Sequence, residues 1–262
     1  IFDWLQEVSY PDQPLGRSIL GPAERVSNFQ KQDLSKFVSE NYGPDQMILA
    51  AAGAVDHEAI VRQCEEIFGN LVSRKQNQLL AGNFSGGEVR HIKDLEQAHF
   101  ALAFEGPNYK NSDIYTAQVF ATAFGGGMSS RLFQEVREKR GLCYSIFASA
   151  GAYSDTGTLT LYAGTSGDKV SELANITMDE IKRAADNMNE NEIARASVQM
   201  KAGLLMGLES PSSRAERLAR MVAIWDRIPT LDEVIEKIDA VTVNSVRNFA
   251  ASLIGGSPAA LA

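Results

Sequence analysis

Between Phe124 and Tyr144 the chain reads F-G-G-G-M-S-S-R-L-F-Q-E-V-R-E-K-R-G-L-C-Y. Its residues with chemical potential are basic and hydroxylic. Arg137 stands near the end of a short amphipathic segment, and Tyr144 opens the next one beyond Gly141. A helix-end guanidinium and a strand-opening phenol can converge on one point across such a turn, and both are donors suited to an oxyanion. In the plainer reading Arg137 offsets the helix dipole and Tyr144 packs. Ser129 and Ser130 follow three glycines as a nucleophile might be expected to, but no G-x-S-x-G accompanies them, and N-capping by Ser129 is the simpler account. Gly125, Gly126 and Gly127 lack the Lys-Ser/Thr pair of a phosphate loop.

Candidate metal ligands are sparse. His57-Glu58 begins an H-E pair, but position 61 is Val where H-E-x-x-H needs its second histidine. His91 and His99 fall on or beside adjacent predicted strands and could face one another, without a carboxylate or thiol at ligand spacing to both. Surface histidines are the better reading. Cys64 and Cys143 are far apart, which fits two free thiols in a reducing compartment.

The elements that must position these groups follow from periodicity. On a helical wheel Leu132, Phe133 and Val136 form one stripe, with Arg140 among them, Arg137 at the edge, and Arg131, Glu135, Glu138 and Lys139 on the far side. Gly141 can stop that helix before a strand at Cys143. The strand alternates through Tyr144, Ile146 and Ala148, turns at Ser154-Asp155-Thr156-Gly157, and returns through Leu159, Leu161 and Ala163. Upstream, helices are expected over Phe2–Val8 and residues 31–41, then a buried strand over Met47–Ala52 and a helix capped by Asp56. A linker is read over Ser73–Gly87, then strands Glu88–Ile92 and His99–Phe104 and a helix over Ser112–Phe124. Four or five helices follow, one opened by Thr230-x-x-Glu233, and a final apolar strand. The fold class expected is α/β (α+β), with antiparallel-rich sheet packed by helices.

Composition sets the outer limits. The 262 residues are 44% hydrophobic and 22% charged, enough for one large or two modest cores. No apolar run approaches the roughly 18 residues of a membrane-spanning helix. A formal net charge of −8 argues against nucleic-acid binding, because no basic stripe exists to neutralise phosphates. Ile1-Phe2-Asp3 lacks an initiator Met, so the expectation is a processed chain or part of a longer one.

The two ends echo each other. Leu34, Phe37, Gly43, Leu49 and Ala50 correspond to Val246, Phe249, Gly255, Leu261 and Ala262, each displaced by 246 − 34 = 212 positions. This suggests a duplicated domain, although convergent apolar patterns could produce several of the matches. A full first copy would then need about 120 residues ahead of Ile1.

The Gly125–Tyr144 string strongly resembles the C-terminal-half signature of the pitrilysin-type zinc peptidases, in the branch of mitochondrial processing peptidase and its bacterial relatives. Phe2–Leu5, Pro14–Pro22 and Ala50–Glu58 resemble the same branch. The family's H-x-x-E-H motif does not occur in these residues. The resemblance implies two homologous domains clamping an extended peptide: residues 1–72 as the end of the first, 73–87 as linker, and 88–262 as the second, its last strand incomplete. It implies zinc in the full-length protein and none in this segment, with peptidase activity that this segment alone lacks. A non-catalytic scaffold or peptide-binding subunit of the same fold is the alternative. Arg137 and Tyr144 take the catalytic contacts with substrate and oxyanion, and Gly125, Gly126 and Gly127 form a substrate-binding loop. Implied partners are a peptide substrate and a second subunit, either a homodimer mate or a family member. The implied location is bacterial cytoplasm, with the mitochondrial matrix as the alternative.

Overall fold

A computed structural model describes residues 1–73 and 79–262. The chain forms two compact units: residues 1–19, 80–202 and 231–262, and residues 20–79 with 203–230. The expected linker straddles their boundary, and residues 74–78 of it lie outside the described residues. The first helix, α1 (Phe2–Ser9), packs with the larger unit.

The larger unit is built on a five-stranded sheet ordered β1-β5-β2-β4-β3. Its strands are β1 (Gly87–Glu88), β2 (Ala98–Gly106), β3 (Cys143–Ala152), β4 (Gly157–Thr165) and β5 (Ala260–Leu261). β2, β3 and β4 pair antiparallel, while β1 joins β5 in parallel. The alternation of β2 divides its side chains between two cores. Phe100, Leu102 and Phe104 join Ile146, Ala148, Leu159 and Leu161 under α5 (Ile114–Gly125), α6 (Val170–Asn187) and α10 (Val243–Gly255). Ala101 and Ala103 face a smaller cluster with Leu5 and Tyr10 of the α1 region, Phe84 and Ala260. Tyr10 is fully buried, and its hydroxyl lies 3.1 Å from Thr156 Oγ1 at the β3–β4 turn. That contact, together with the apolar packing of Leu5, draws α1 to this sheet.

The smaller unit holds α2 (Ala23–Asn28), α3 (Lys31–Asn41), α4 (His57–Phe68) and α8 (Pro211–Trp225). α7 (Glu190–Gly207) begins in the larger unit, which also contains α9 (Leu231–Asp239). The expected strand Met47–Ala52 forms no ladder. Its apolar run has the composition of a buried strand, but neighbouring backbone is what makes a ladder. Similarly, the expected Glu88–Ile92 strand shortens to Gly87–Glu88, the two residues in register with β5, with the Val89 amide donating to the Leu261 carbonyl at 2.9 Å.

The 212-residue echo has a local structural counterpart. α3 begins at Lys31 and α10 at Val243, the same displacement. In each, the third helical residue accepts a hydrogen bond from the N-cap amide: Asp33 from Gln30 at 2.9 Å, and Ser245 from Thr242 at 3.1 Å. Their packing differs. Val246 is fully buried, whereas its counterpart Leu34 is 57% exposed.

Candidate functional site

α5 delivers the glycine segment to β3. Gly125 is the last residue of α5 and is buried; a Cβ there would lie 2.4 Å from the Ala148 amide nitrogen. Its identity is therefore accounted for by helix-to-strand approach. The chain then turns through Gly126 and Gly127, with the Ser130 amide donating to the Gly127 carbonyl at 2.9 Å. Ser130, rather than Ser129, immediately precedes the signature helix, and its buried hydroxyl has no hydrogen-bond partner among the described residues.

The signature segment winds as a π-helix over Phe133–Glu138, with the Lys139 amide donating to the Gln134 carbonyl at 3.0 Å. The wider turn changes the faces that a 3.6-residue wheel assigns. Leu132 and Val136 are buried as expected. Arg140 is exposed and turns back to Glu135, bonding its carboxylate at 3.1 Å. Arg131, expected on the far side, is instead held in a bidentate pair by Glu192: Nε to Oε1 at 2.9 Å and Nη2 to Oε2 at 2.7 Å, with side-chain exposures of 10% and 12%. Lys139 and Arg140 donate hydrogen bonds that hold the Glu135 carboxyl below its usual range.

The helix ends at Gly141, whose φ of +60° is the left-handed cap. The Gly141 amide donates to the Arg137 carbonyl and the Leu142 amide to that of Val136. β3 starts at Cys143, paired with Thr165, but Ser145 pairs with Gly164, so Tyr144 is an extra residue in the ladder. This bulge overturns the expected alternation: Ile146 and Ala148 are buried while Tyr144 is 76% exposed. The re-aimed ring meets Arg137, whose guanidinium carbon lies 4.9 Å from the Tyr144 ring centroid and 4.5 Å from that of Phe133. The buried Cys143 thiol next to Tyr144 in sequence is pushed up by desolvation, an effect the Arg137 charge opposes.

Of the residues expected at the site, Arg137 and Tyr144 come together. Gly126 and Gly127 form the turn ahead of Arg131, and Gly125 lies in the core. Phe133, Glu192 and Gln199 were not anticipated; the only local signal was the N-x-x-E spacing of Asn189 and Glu192. The histidines do not cluster. His91 stacks on Trp4 at 3.7 Å between ring centroids, and His99 Nδ1 lies 2.8 Å from the Tyr162 hydroxyl. Among the described residues no three His, Cys, Asp or Glu side chains are grouped to hold a metal. These residues do not fit a zinc site.

The family described as Peptidase M16 inactive domain matches residues 28–200. An uncharacterized zinc protease of Rickettsia felis is 36% identical over 251 residues, covering 95% of this chain and 61% of that protein. The uncharacterized zinc protease YmxG of Bacillus subtilis is 32% identical over 257 residues, covering 97% of this chain and 62% of that one. The chain thus spans about three-fifths of the length of these relatives. A solved structure described as Complex III2 from Candida albicans, Inz-5 bound, superposes with a TM-score of 0.91 at 23% identity, over 100% of this chain and 65% of its own. A protease from Helicobacter pylori gives 0.85 at 18% identity, over 98% and 65%. At those identities the structural likeness speaks for the fold, while the family match and the closer relatives place the chain: it belongs to the peptidase M16 family.

Proposed function

We propose that this chain works within a longer zinc-dependent endopeptidase or oligopeptidase that clamps an extended peptide between two homologous domains. Zinc is held by residues outside these 262 and would supply the Lewis acidity for attack on the peptide bond. The contribution of this chain is a pair of donors. The Arg137 guanidinium and the Tyr144 phenol both donate to the substrate carbonyl oxygen, most strongly to the oxyanion it becomes when water adds to the peptide carbonyl. Gly126 and Gly127 present backbone to the same substrate. Residues 1–72 close the first domain and residues 88–262 form the second, as the echo between α3 and α10 supports. The protein acts in the bacterial cytoplasm, alone, as a homodimer or beside a family partner.

The observation that carries this reading is the bulge at Tyr144. A tyrosine packed for stability would follow the strand alternation into the core, but this one is turned outward against an arginine. In the full-length protein, Tyr144→Phe and Arg137→Ala should lower kcat while zinc content and Tm hold. Activity falling only in step with Tm would reject it. The matched family's description as an inactive domain favours a second reading, a scaffold or peptide-binding subunit without turnover. In that case both variants weaken peptide binding in a protein that never hydrolyses it.

A further inference from the structure

The pose of Arg137 has a support outside the signature segment. α7 touches the chain on both sides of the glycine turn. At the near side Gln199 Nε2 donates to the Gly126 carbonyl at 2.8 Å. At the far side Glu192 takes the fork of Arg131, one residue before the buried Leu132 and two before the π-helix. Glu192 and Gln199 are seven residues apart on α7, so they share one face about two turns from each other.

Glu192 is itself fixed. Its Oε2 accepts from the Asn189 amide at 2.9 Å and from Asn189 Nδ2 at 2.8 Å, and Asn189 Oδ1 accepts the Glu192 amide in return at 3.2 Å. This is a capping box, so the carboxylate that grips Arg131 is locked to the start of α7. Arg131 Nη1 also donates to Asn187 Oδ1 at 2.7 Å, at the end of α6. The Arg131 guanidinium is thus bound on three of its nitrogens, where a lone surface pair would make one loose contact.

The segment from Gly126 to Arg131 would otherwise be poorly held. It has two glycines and an exposed Met128, and its other links are the Gly126 amide on the Thr122 carbonyl, the Ser130–Gly127 bond, and the Gln134 amide and side chain on the Ser130 and Met128 carbonyls. Any drift there rotates the helix that follows, and Arg137 with it.

We infer that Glu192 and Gln199 of α7, acting through Arg131 and the Gly126 carbonyl, are positioning residues that set where the Arg137 guanidinium lies between Phe133 and Tyr144. The consequence for turnover rests on the reading of Arg137 as a substrate donor; the geometric claim stands apart from it.

Two measurements separate the two. Arg137 lies over two aromatic rings, so ring currents displace its Nε–H proton resonance upfield, and that displacement reports its pose. In the 262-residue chain, Gln199→Ala and Arg131→Lys should each move this resonance back toward the value of a free arginine. Gln199 is a surface residue, so that variant should keep its Tm; Arg131→Lys keeps the charge but loses the fork. In the full-length protein both should lower kcat by up to about tenfold with KM little changed, as expected for a misplaced donor. An Arg137 resonance unmoved in both variants overturns the inference. A moved resonance with unchanged kcat upholds the clamp and instead sinks the role proposed for Arg137.

Discussion

The guanidinium of Arg137 lies over the ring of Tyr144 at 4.9 Å because two irregularities coincide. The π-helix carries Arg137 to the face of Phe133, and the β-bulge turns Tyr144 out of the sheet to meet it. Either element in regular form would separate them, since a regular strand would bury position 144 beside Ile146. Irregular backbone of this kind is found disproportionately at functional sites. Deleting Tyr144 to restore a regular ladder should therefore leave a folded sheet in the full-length protein while cutting turnover to the level of Arg137→Ala. Circular dichroism and kcat measured together check this, and retention of normal kcat would detach the bulge from function.

Tyr10 makes stability depend on alkaline pH. Burial pushes its phenol up to about 12, against an opposing hydrogen bond from Thr156. An unfolded tyrosine loses its proton near pH 10. Between the two values the folded chain keeps a proton that the unfolded chain has released, so rising pH favours unfolding. The contribution is complete below pH 10 and disappears toward pH 12, about 2–3 kcal/mol in all. Tyr10→Phe should flatten the decline of denaturation midpoint with pH in that window, and an unchanged slope would show that Tyr10 is not its source.

Gly125→Ala tests the approach of α5 to β3. The added methyl would meet the Ala148 backbone, which cannot swing aside as a side chain does. The expected cost is about 1–3 kcal/mol, or several degrees in Tm. A neutral substitution would mean that α5 can shift away freely.

The open face of α3 supports a fourth expectation. Leu34, Phe37 and Val38 are each more than half exposed, while the α10 counterparts Val246 and Ala250 are fully buried. The chain alone should bind a hydrophobic dye and be cut by trypsin first at Arg25, Lys31 or Lys36. Both should be suppressed in the full-length protein. First cuts in β3 or β4 would contradict this.

Much of the fold was legible because it is local. Alternation from Ile146 through Ala163 gave the β3–β4 hairpin and its turn, and Gly141 gave the helix stop. The apolar run Met47–Ala52 was misleading because strand composition does not guarantee a ladder partner. At the site, a wheel drawn at 3.6 residues per turn placed Arg140 in the core, which the π-helix undoes, and Arg131 in solvent, where Glu192 instead captures it. The period-two pattern likewise put Tyr144 with Ile146. Glu192 stayed hidden because its pairing with Arg131 spans 61 residues, although its capping box with Asn189 could have been read locally.

Metal content is a further check. The described residues group no metal ligands, so this chain, stripped and re-equilibrated with zinc, should retain only substoichiometric metal. One tightly held zinc per chain would contradict the assignment of the ligands to the rest of the protein.

The central claim is that Arg137 and Tyr144 serve one developing oxyanion, and a double-mutant cycle on kcat in the full-length protein tests it most directly. Arg137→Ala and Tyr144→Phe should each cost about 10²- to 10³-fold. Because they act as a unit, the double variant should lose far less than the product of the two, at unchanged Tm and zinc content. Strict multiplication of the two losses, or losses that follow Tm, would contradict a shared role at the oxyanion.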